Sequence, residues 1–155
     1  MATTEDLFDG LATLLQTAGV GRYIPVTDTT STYAAGDTAI VLGKLPPSPD
    51  RAVALRIVPA AADARTPFAT VLVAVTVRGI PNNPLDAGNL ADAARDALLG
   101  LIHVQLGGTH LIQTRFAGQI DLDEDESDRS EWSVKILADV DEAPTNLRPL
   151  GGAWD

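Results

Sequence analysis

The strongest candidate for chemistry in this sequence is an acidic run near its C-terminal end. Seven of the eleven residues from 121 to 131 are carboxylates, and a single base stands among them. Asp121, Asp123 and Asp125 have the alternate spacing that begins a calcium-binding EF-hand loop. Such a loop also needs glycine at its sixth position and glutamate at its twelfth. Glutamate and tryptophan occupy those positions here, so the sequence does not predict an EF-hand site.

The simplest interpretation of the acidic run is a charged hairpin connection that stays in water. Clustered charge at the end of a hairpin discourages neighbouring strands from aggregating. The alternative is adventitious binding of a divalent cation by the carboxylates. Neither interpretation gives the run a catalytic role.

The other reactive residue types form no recognisable motif. His103 and His110 lie seven residues apart with no carboxylate at ligand spacing, so we expect structural histidines rather than a zinc site. No serine stands in a G-x-S-x-G pattern. Residues 19–24, GVGRYI, lack the third glycine of a dinucleotide-binding fingerprint. The sequence therefore predicts no catalytic residue, metal ligand or cofactor, and we expect a protein that is not an enzyme.

The composition is typical of one folded domain without cysteine. A chain of 155 residues is long enough to bury roughly 70% of its unfolded surface, and a hydrophobic fraction of 45% argues against general disorder. The net charge of −10, with no cluster of Lys or Arg, argues against binding nucleic acid through its phosphates. The acidic N-terminus does not resemble a secretory signal, no apolar run could span a membrane, and a reducing cytoplasm fits the lack of cysteine.

Hydrophobic periodicity predicts the elements that must position these residues. Residues 5–18 predict an amphipathic helix, and residues 83–101 predict a second helix with Asn83 as its N-cap and Pro84 in its first turn. Alternating or β-branched runs predict five strands, at residues 38–45, 51–59, 70–79, 111–120 and 131–140. The acidic run then connects the last two strands as a long hairpin loop.

Together these elements predict a single α+β domain over residues 1–142. Its sheet is mostly antiparallel and packs against two main helices. Residues 22–37 are expected to form a linker or an irregular edge, and residues 60–66 a loop. Residues 143–155 are expected to form a C-terminal extension.

The order of these elements resembles that of a known family. Residues 71–101, VLVAVTVRGIPNNPLDAGNLADAARDALLGL, are a valine-rich strand ending in Arg-Gly, a Pro/Asn turn and an Ala/Leu helix. A glycine turn, a strand, an acidic connection with an Asp-Glu pair and the last strand, RSEWSVKILADV at 129–140, follow. With the opening helix, this order resembles the tail terminator proteins of long-tailed bacteriophages, also described as minor capsid or tail completion proteins. The acidic connection departs from the family's pattern because it lacks a glycine.

The resemblance implies a structural role in the virion, at the tail or neck, after assembly in the host cytoplasm. Proteins of this family form a homohexameric ring at the head-proximal end of the tail tube. The ring ends tube polymerisation and joins the tail to the head–tail connector or stopper protein, and DNA passes through its lumen without being specifically bound. Six copies at −10 each would carry −60, which would keep a polyanion from sticking. The implied partners are other copies, the tail tube protein and the connector, with no membrane partner.

The resemblance also suggests which residues face the lumen or a neighbouring subunit. The candidate acids are Asp121, Asp123, Glu124, Asp125, Glu126 and Asp128. The candidate intersubunit bases are Arg56, Arg78 and Arg115, and the alternative for each is pairing with acids of its own subunit. Two other functions stay open: another neck protein, such as a head-closure or tube-like subunit, and a small acidic enzyme or ligand-binding domain with a deep polar pocket.

Overall fold

The computed structural model describes residues 4–25, 27–62 and 68–141. These residues contain two helices and seven strands, which in chain order are α1 Thr4–Thr17, β1 Arg22–Tyr23, β2 Ala39–Leu42, β3 Ala52–Ala62, β4 Phe68–Pro81, α2 Pro84–Leu98, β5 Ile102–Leu106, β6 Thr109–Glu124 and β7 Arg129–Asp141. The C-terminal extension expected at 143–155 lies outside the described residues, and the domain boundary stays a prediction.

The strands form one sheet in the order β1-β2-β3-β4-β7-β6-β5. The strands β1, β2 and β3 run parallel to one another, and the other neighbouring pairs are antiparallel. The sheet curls, because α1 contacts both β3 near one edge and β5 at the other. Gly10 of α1 permits the second contact, since a Cβ there would lie 2.7 Å from the Cβ of Leu106. The predicted α+β fold with a mostly antiparallel sheet is confirmed.

The core lies between the helices and one face of this sheet. Alternate residues of β4 point to the helices and are buried: Val71, Val73, Val75 and Val77. The leucines of α1 at 7, 11 and 15, and Leu90 and Leu98 of α2, belong to the same cluster. The opposite face of the sheet, which we call the outer face, carries the even-numbered residues of β3 and β4 and the odd-numbered residues of β7, as the strand register requires.

Local sequence explains how α2 begins against the sheet. The side chain of Asn83 accepts a hydrogen bond from the Asp86 backbone N at 3.3 Å, and Pro84 occupies the first turn, as predicted. Asp86 also accepts from the backbone N of Ile80 at 2.9 Å, which ties the helix to the end of β4. Gly79 permits this approach, because a Cβ there would lie 2.6 Å from the backbone N of Ala87.

The structure corrects the end of the second helix. The predicted helix runs to residue 101, but α2 ends at Leu98, with Leu99 extended and Gly100 at a φ of 73°. The following residues form β5, a strand that the sequence analysis did not predict. Because β5 is a short edge strand and three of its five residues are exposed, it lacks the apolar alternation that reveals a half-buried strand.

Three strand boundaries also differ from prediction. Residues 22–23, expected as linker or irregular edge, form the short parallel strand β1. β3 extends to Ala62, into the segment expected as a loop. β6 extends to Glu124, so residues 121–124 of the acidic run are paired with β7 and only residues 125–128 form the turn. Carboxylates are tolerated in β6 because they stand in water at the rim of the sheet.

No helix among the described residues is long and apolar enough to span a bilayer.

Candidate functional site: an acidic edge and a basic outer face

The turn between β6 and β7 is organised by one carboxylate. Asp125 Oδ1 accepts from the backbone N of Ser127 and of Arg129, both at 2.9 Å. Asp125 Oδ2 accepts from Arg129 Nε at 2.8 Å. Burial alone would raise the pKa of Asp125, but the hydrogen bonds from Arg129 and Ser127 and the charge of Arg129 hold the pKa below its usual range. Asp125 therefore shapes the turn.

The other five predicted acids are exposed. We call residues 119–128 the acidic edge; within it the exposed carboxylates belong to Asp121, Asp123, Glu124, Glu126 and Asp128. None of the five makes an ion pair with a base of the described chain. From Arg115 to Glu124, β6 pairs with β7 on one side and with no described strand on the other. This open rim also exposes half of Ile120 and 46% of Leu122.

Two buried arginines fix the acidic edge to a loop from the other half of the sheet. Arg129 donates to the Pro47 carbonyl at 2.9 Å and to Asp50 Oδ1 at 3.2 Å. Arg78, which is 3% exposed, donates to three carbonyl oxygens, those of Pro46, Pro49 and Asp50, at 2.5 to 2.8 Å. We call residues 46–50 the proline loop. Arg78, predicted as an intersubunit base, lies beneath this loop and is held by its own chain.

The ionisable groups around Arg78 and Arg129 have shifted pKa values because they are partly buried. Burial, together with the charge of Arg129, lowers the pKa of Arg78. Burial raises the pKa of Glu131, and the charge of Asp125 raises it further. Both shifts follow mainly from burial, which disfavours the charged form of each group.

Arg115, the second predicted base, lies half exposed and pairs with Asp139 at 3.2 Å. Asp139 also accepts from Thr70 Oγ1 at 2.6 Å and from Gln113 Nε2 at 2.7 Å. Burial alone would raise the pKa of Asp139, but these hydrogen bonds and the charge of Arg115 lower it below its usual value. Arg115 thus has a partner in its own chain, and its role between subunits stays a prediction.

Arg56, the third predicted base, lies near two lysines, Lys135 and Lys44, and we call these three residues the basic row. Register places Arg56 of β3 beside Ala74 of β4, and Ala74 beside Lys135 of β7. Two strand spacings of about 4.8 Å separate the two backbones. Arg56 donates a long hydrogen bond of 3.5 Å to the Gly43 carbonyl, and Lys44 follows Gly43 in the chain. None of these three bases makes an ion pair with a described carboxylate.

Sequence reasoning missed Lys44 and Lys135 as members of this row. A signal for Lys135 was present, because it alternates with Trp132, Val134 and Ile136, which face the core. No such signal exists for Lys44, because it lies in a turn after β2 and the pairing of β2 with β3 brings it near Arg56.

The structure offers little to support metal chemistry in its described part. No three His, Asp or Glu side chains lie close enough together there to hold an ion. His103 Nδ1 and His110 Nε2 lie 3.1 Å apart across β5 and β6, so the two rings hydrogen-bond to each other. His103 is exposed and His110 half-buried.

A depression of about 450 Å³ opens beside α1 and β2, lined mostly by apolar side chains such as Phe8 and Ile40. Its polar groups already bind their own chain. Asp28 accepts from the backbone N and the hydroxyl of Ser31, at 3.0 and 2.6 Å. Tyr33 donates to the Ile40 carbonyl at 3.0 Å. The depression therefore lacks the convergent polar groups of a substrate pocket.

Comparison with known proteins gives these surfaces a context. Residues 14–142 match the model of a family described as bacteriophage tail terminator protein. The chain belongs to this tail terminator family. It is a structural protein of the phage tail, located in the virion at the tail or neck, as the element order predicted.

A solved structure supports the fold of this tail terminator family member. A chain from the virion of a native gene transfer agent particle matches with a TM-score of 0.54 and 21% identity, over 85% of this chain and 84% of that one. No curated protein matches the sequence. For a structural protein, the features that carry function are surfaces that meet other subunits, and the acidic edge and the basic row are such candidates.

Proposed function

We propose that this tail terminator protein forms a ring of six identical subunits at the head-proximal end of the tail tube. There it ends tube polymerisation, joins the tail to the head connector and leaves a lumen through which DNA passes. Membership of the tail terminator family over residues 14–142 carries this proposal. The described surface agrees with a structural role, because the depression beside α1 and β2 lacks convergent polar groups and no three potential metal ligands of the described residues lie together.

The charge of the chain supports a conduit that does not bind DNA. A formal charge of −10 per subunit opposes the counterion release that drives proteins onto nucleic acid. Low affinity suits a passage, because DNA that adhered to the lumen would be slowed during ejection. The proposed partners are further copies, the tail tube protein and the connector or stopper protein.

Electron microscopy of the purified protein, alone and mixed with the tail tube protein of the same phage, tests the proposal. We expect six-fold rings, and tubes that carry a ring at one end and no longer grow when more tube protein is added. The control is the tube protein alone, which should continue to elongate. Tubes that elongate equally with and without this protein would contradict the terminating role, and binding to the head connector without binding to tubes would favour another neck position.

A further inference from the structure

We propose that the acidic edge of one subunit lies on the outer face of the next subunit, where its carboxylates meet Arg56, Lys135 and Lys44. This inference rests on the proposed ring and names the contact that closes it. The occupant of the outer face is therefore a second copy of this chain.

The distribution of ion pairs is the first argument. Six of the nine described bases are held by their own chain: Arg22, Arg51, Arg95, Arg115 and Arg129 by carboxylates and Arg78 by carbonyls. Of the three others, Arg56 and Lys135 share one part of the outer face and Lys44 lies in the turn beside Arg56, although the chain carries about twice as many acids as bases. Five exposed acids without an ion pair, in turn, share the acidic edge. Both charge sets are available, and they have opposite sign.

Apolar side chains beside each charge set are the second argument. The next row of the outer face aligns Val58, Leu72 and Leu137. Val58 is 43% exposed, and Leu72 and Leu137 are partly exposed. The acidic edge presents Ile120 and Leu122. Each surface thus combines apolar side chains with charge, as the centre and rim of a protein interface do.

Within one subunit the two surfaces cannot meet, so a contact between them joins two subunits. The acidic edge is part of the rim of the same sheet whose outer face carries the bases, so it cannot fold over that face. Two different patches that complement each other make a heterologous contact, and repetition of such a contact closes a ring when the rotation between copies allows it. The open side of β6, whose backbone lacks a described partner strand, lies within the same contact.

A charge-swap experiment tests the contact. The edge variant carries Glu124→Lys and Glu126→Lys, and the face variant carries Arg56→Glu and Lys135→Glu. Neither pair of changes removes a described ion pair or falls at a positive φ. A control with Glu5→Lys and Asp96→Lys makes the same charge change as the edge variant, on α1 and α2, and removes only the exposed ion pair between Asp96 and Arg95. Thermal unfolding verifies that each variant is folded.

We expect each variant alone to sediment as a monomer at concentrations where the wild type and the control form rings. Like charges facing each other should weaken the contact by about 100-fold or more. An equimolar mixture should restore rings, because the lysines of the edge variant meet the glutamates of the face variant, and the unchanged surfaces meet each other at alternate interfaces. Native mass spectrometry should then find the two variants in equal number in each ring.

Three results would overturn the inference, and they are distinguishable. If the wild type forms rings and both variants do so equally well, this contact is wrong while the ring stands; the carboxylates then face elsewhere, as in a lumen. If the wild type forms no ring, alone or with tube protein, the proposed ring fails as well. Loss of rings in both variants without rescue by mixing would also contradict the direct pairing.

Discussion

The buried guanidinium of Arg78 provides the sharpest test of how this fold holds its acidic edge. Replacement by Met keeps a long apolar stem but removes the three hydrogen bonds to the proline loop. The Pro49 carbonyl is buried and would lose its donor, at a cost of about 1–3 kcal/mol. The other two carbonyls can turn to water and would each lose about 1 kcal/mol. Removing the buried cation also removes the free-energy cost of its desolvation, which offsets part of this loss. We therefore expect the free energy of unfolding to fall by about 3 kcal/mol.

Urea and thermal unfolding measure the effect. In a chain of this size, a loss of about 3 kcal/mol lowers Tm by about 6–12 °C. Arg56→Met is the matched control, because Arg56 also stands on the outer face but is exposed and has one long hydrogen bond, at 3.5 Å. We expect that control to change the free energy of unfolding by no more than about 0.5 kcal/mol. Equal effects of the two substitutions would refute the view that the proline loop is clamped by Arg78.

Two further substitutions test the packing of α2 and the buried acid of β7. Gly79→Ala should cost about 1–3 kcal/mol in urea unfolding, because the new Cβ would lie 2.6 Å from the backbone of α2, whereas Gly36→Ala, with nothing within 4 Å, should be nearly neutral; equal effects would contradict the close approach. Asp139→Asn should cost about 1–3 kcal/mol at pH 7, since one amide oxygen cannot accept every hydrogen bond that the carboxylate accepts, and exposed Asp96→Asn serves as its control. Because the folded pKa of Asp139 is lowered, its stabilisation is present above the unfolded pKa of about 3.9 and is lost as pH falls through the folded pKa. The difference in unfolding free energy between wild type and Asp139→Asn should therefore shrink as pH is lowered from 5 to about 3, and a difference that grows would show the sign to be wrong.

Local periodicity was sufficient to predict the elements that build the core. The spacing of Leu7, Leu11 and Leu15 predicted α1, and Asn83 with Pro84 predicted where α2 begins. These signals work because each of these elements buries one face, so its apolar residues recur at the period of a helix or of a strand. β5 escaped prediction because it is a largely exposed edge strand, so its residues show no apolar alternation. Its pairing with β6 is a contact that the local sequence does not reveal.

The candidate site was predictable only in its charges. Composition indicated an acidic surface, but the extension of β6 through three acids depends on pairing with β7, which outweighs their poor strand propensity. The role of Arg78 could not be predicted from the sequence, because its partners are backbone carbonyls of the proline loop. Every residue has such a carbonyl, so the sequence does not indicate which of them Arg78 binds. The alternation that identified Arg56 was present for Lys135 as well, whereas the alignment of the two bases on one face required the register of three strands.

The position of the clamp links the stability of the subunit to its assembly. Arg129 holds the turn of the acidic edge, and through the proline loop it is tied to Arg78 at the end of β4. The same sheet carries the basic row four residues from Arg78 along β4, at Ala74, so the two surfaces proposed to meet in neighbouring subunits are fixed relative to each other. A heterologous contact closes into a ring when every subunit presents its two surfaces at the same angle. Surfaces fixed before association also lose less conformational entropy when they meet. Two buried arginines that bind mainly backbone carbonyls are thus a structural means of setting that angle without using the exposed bases that the neighbouring subunit would need.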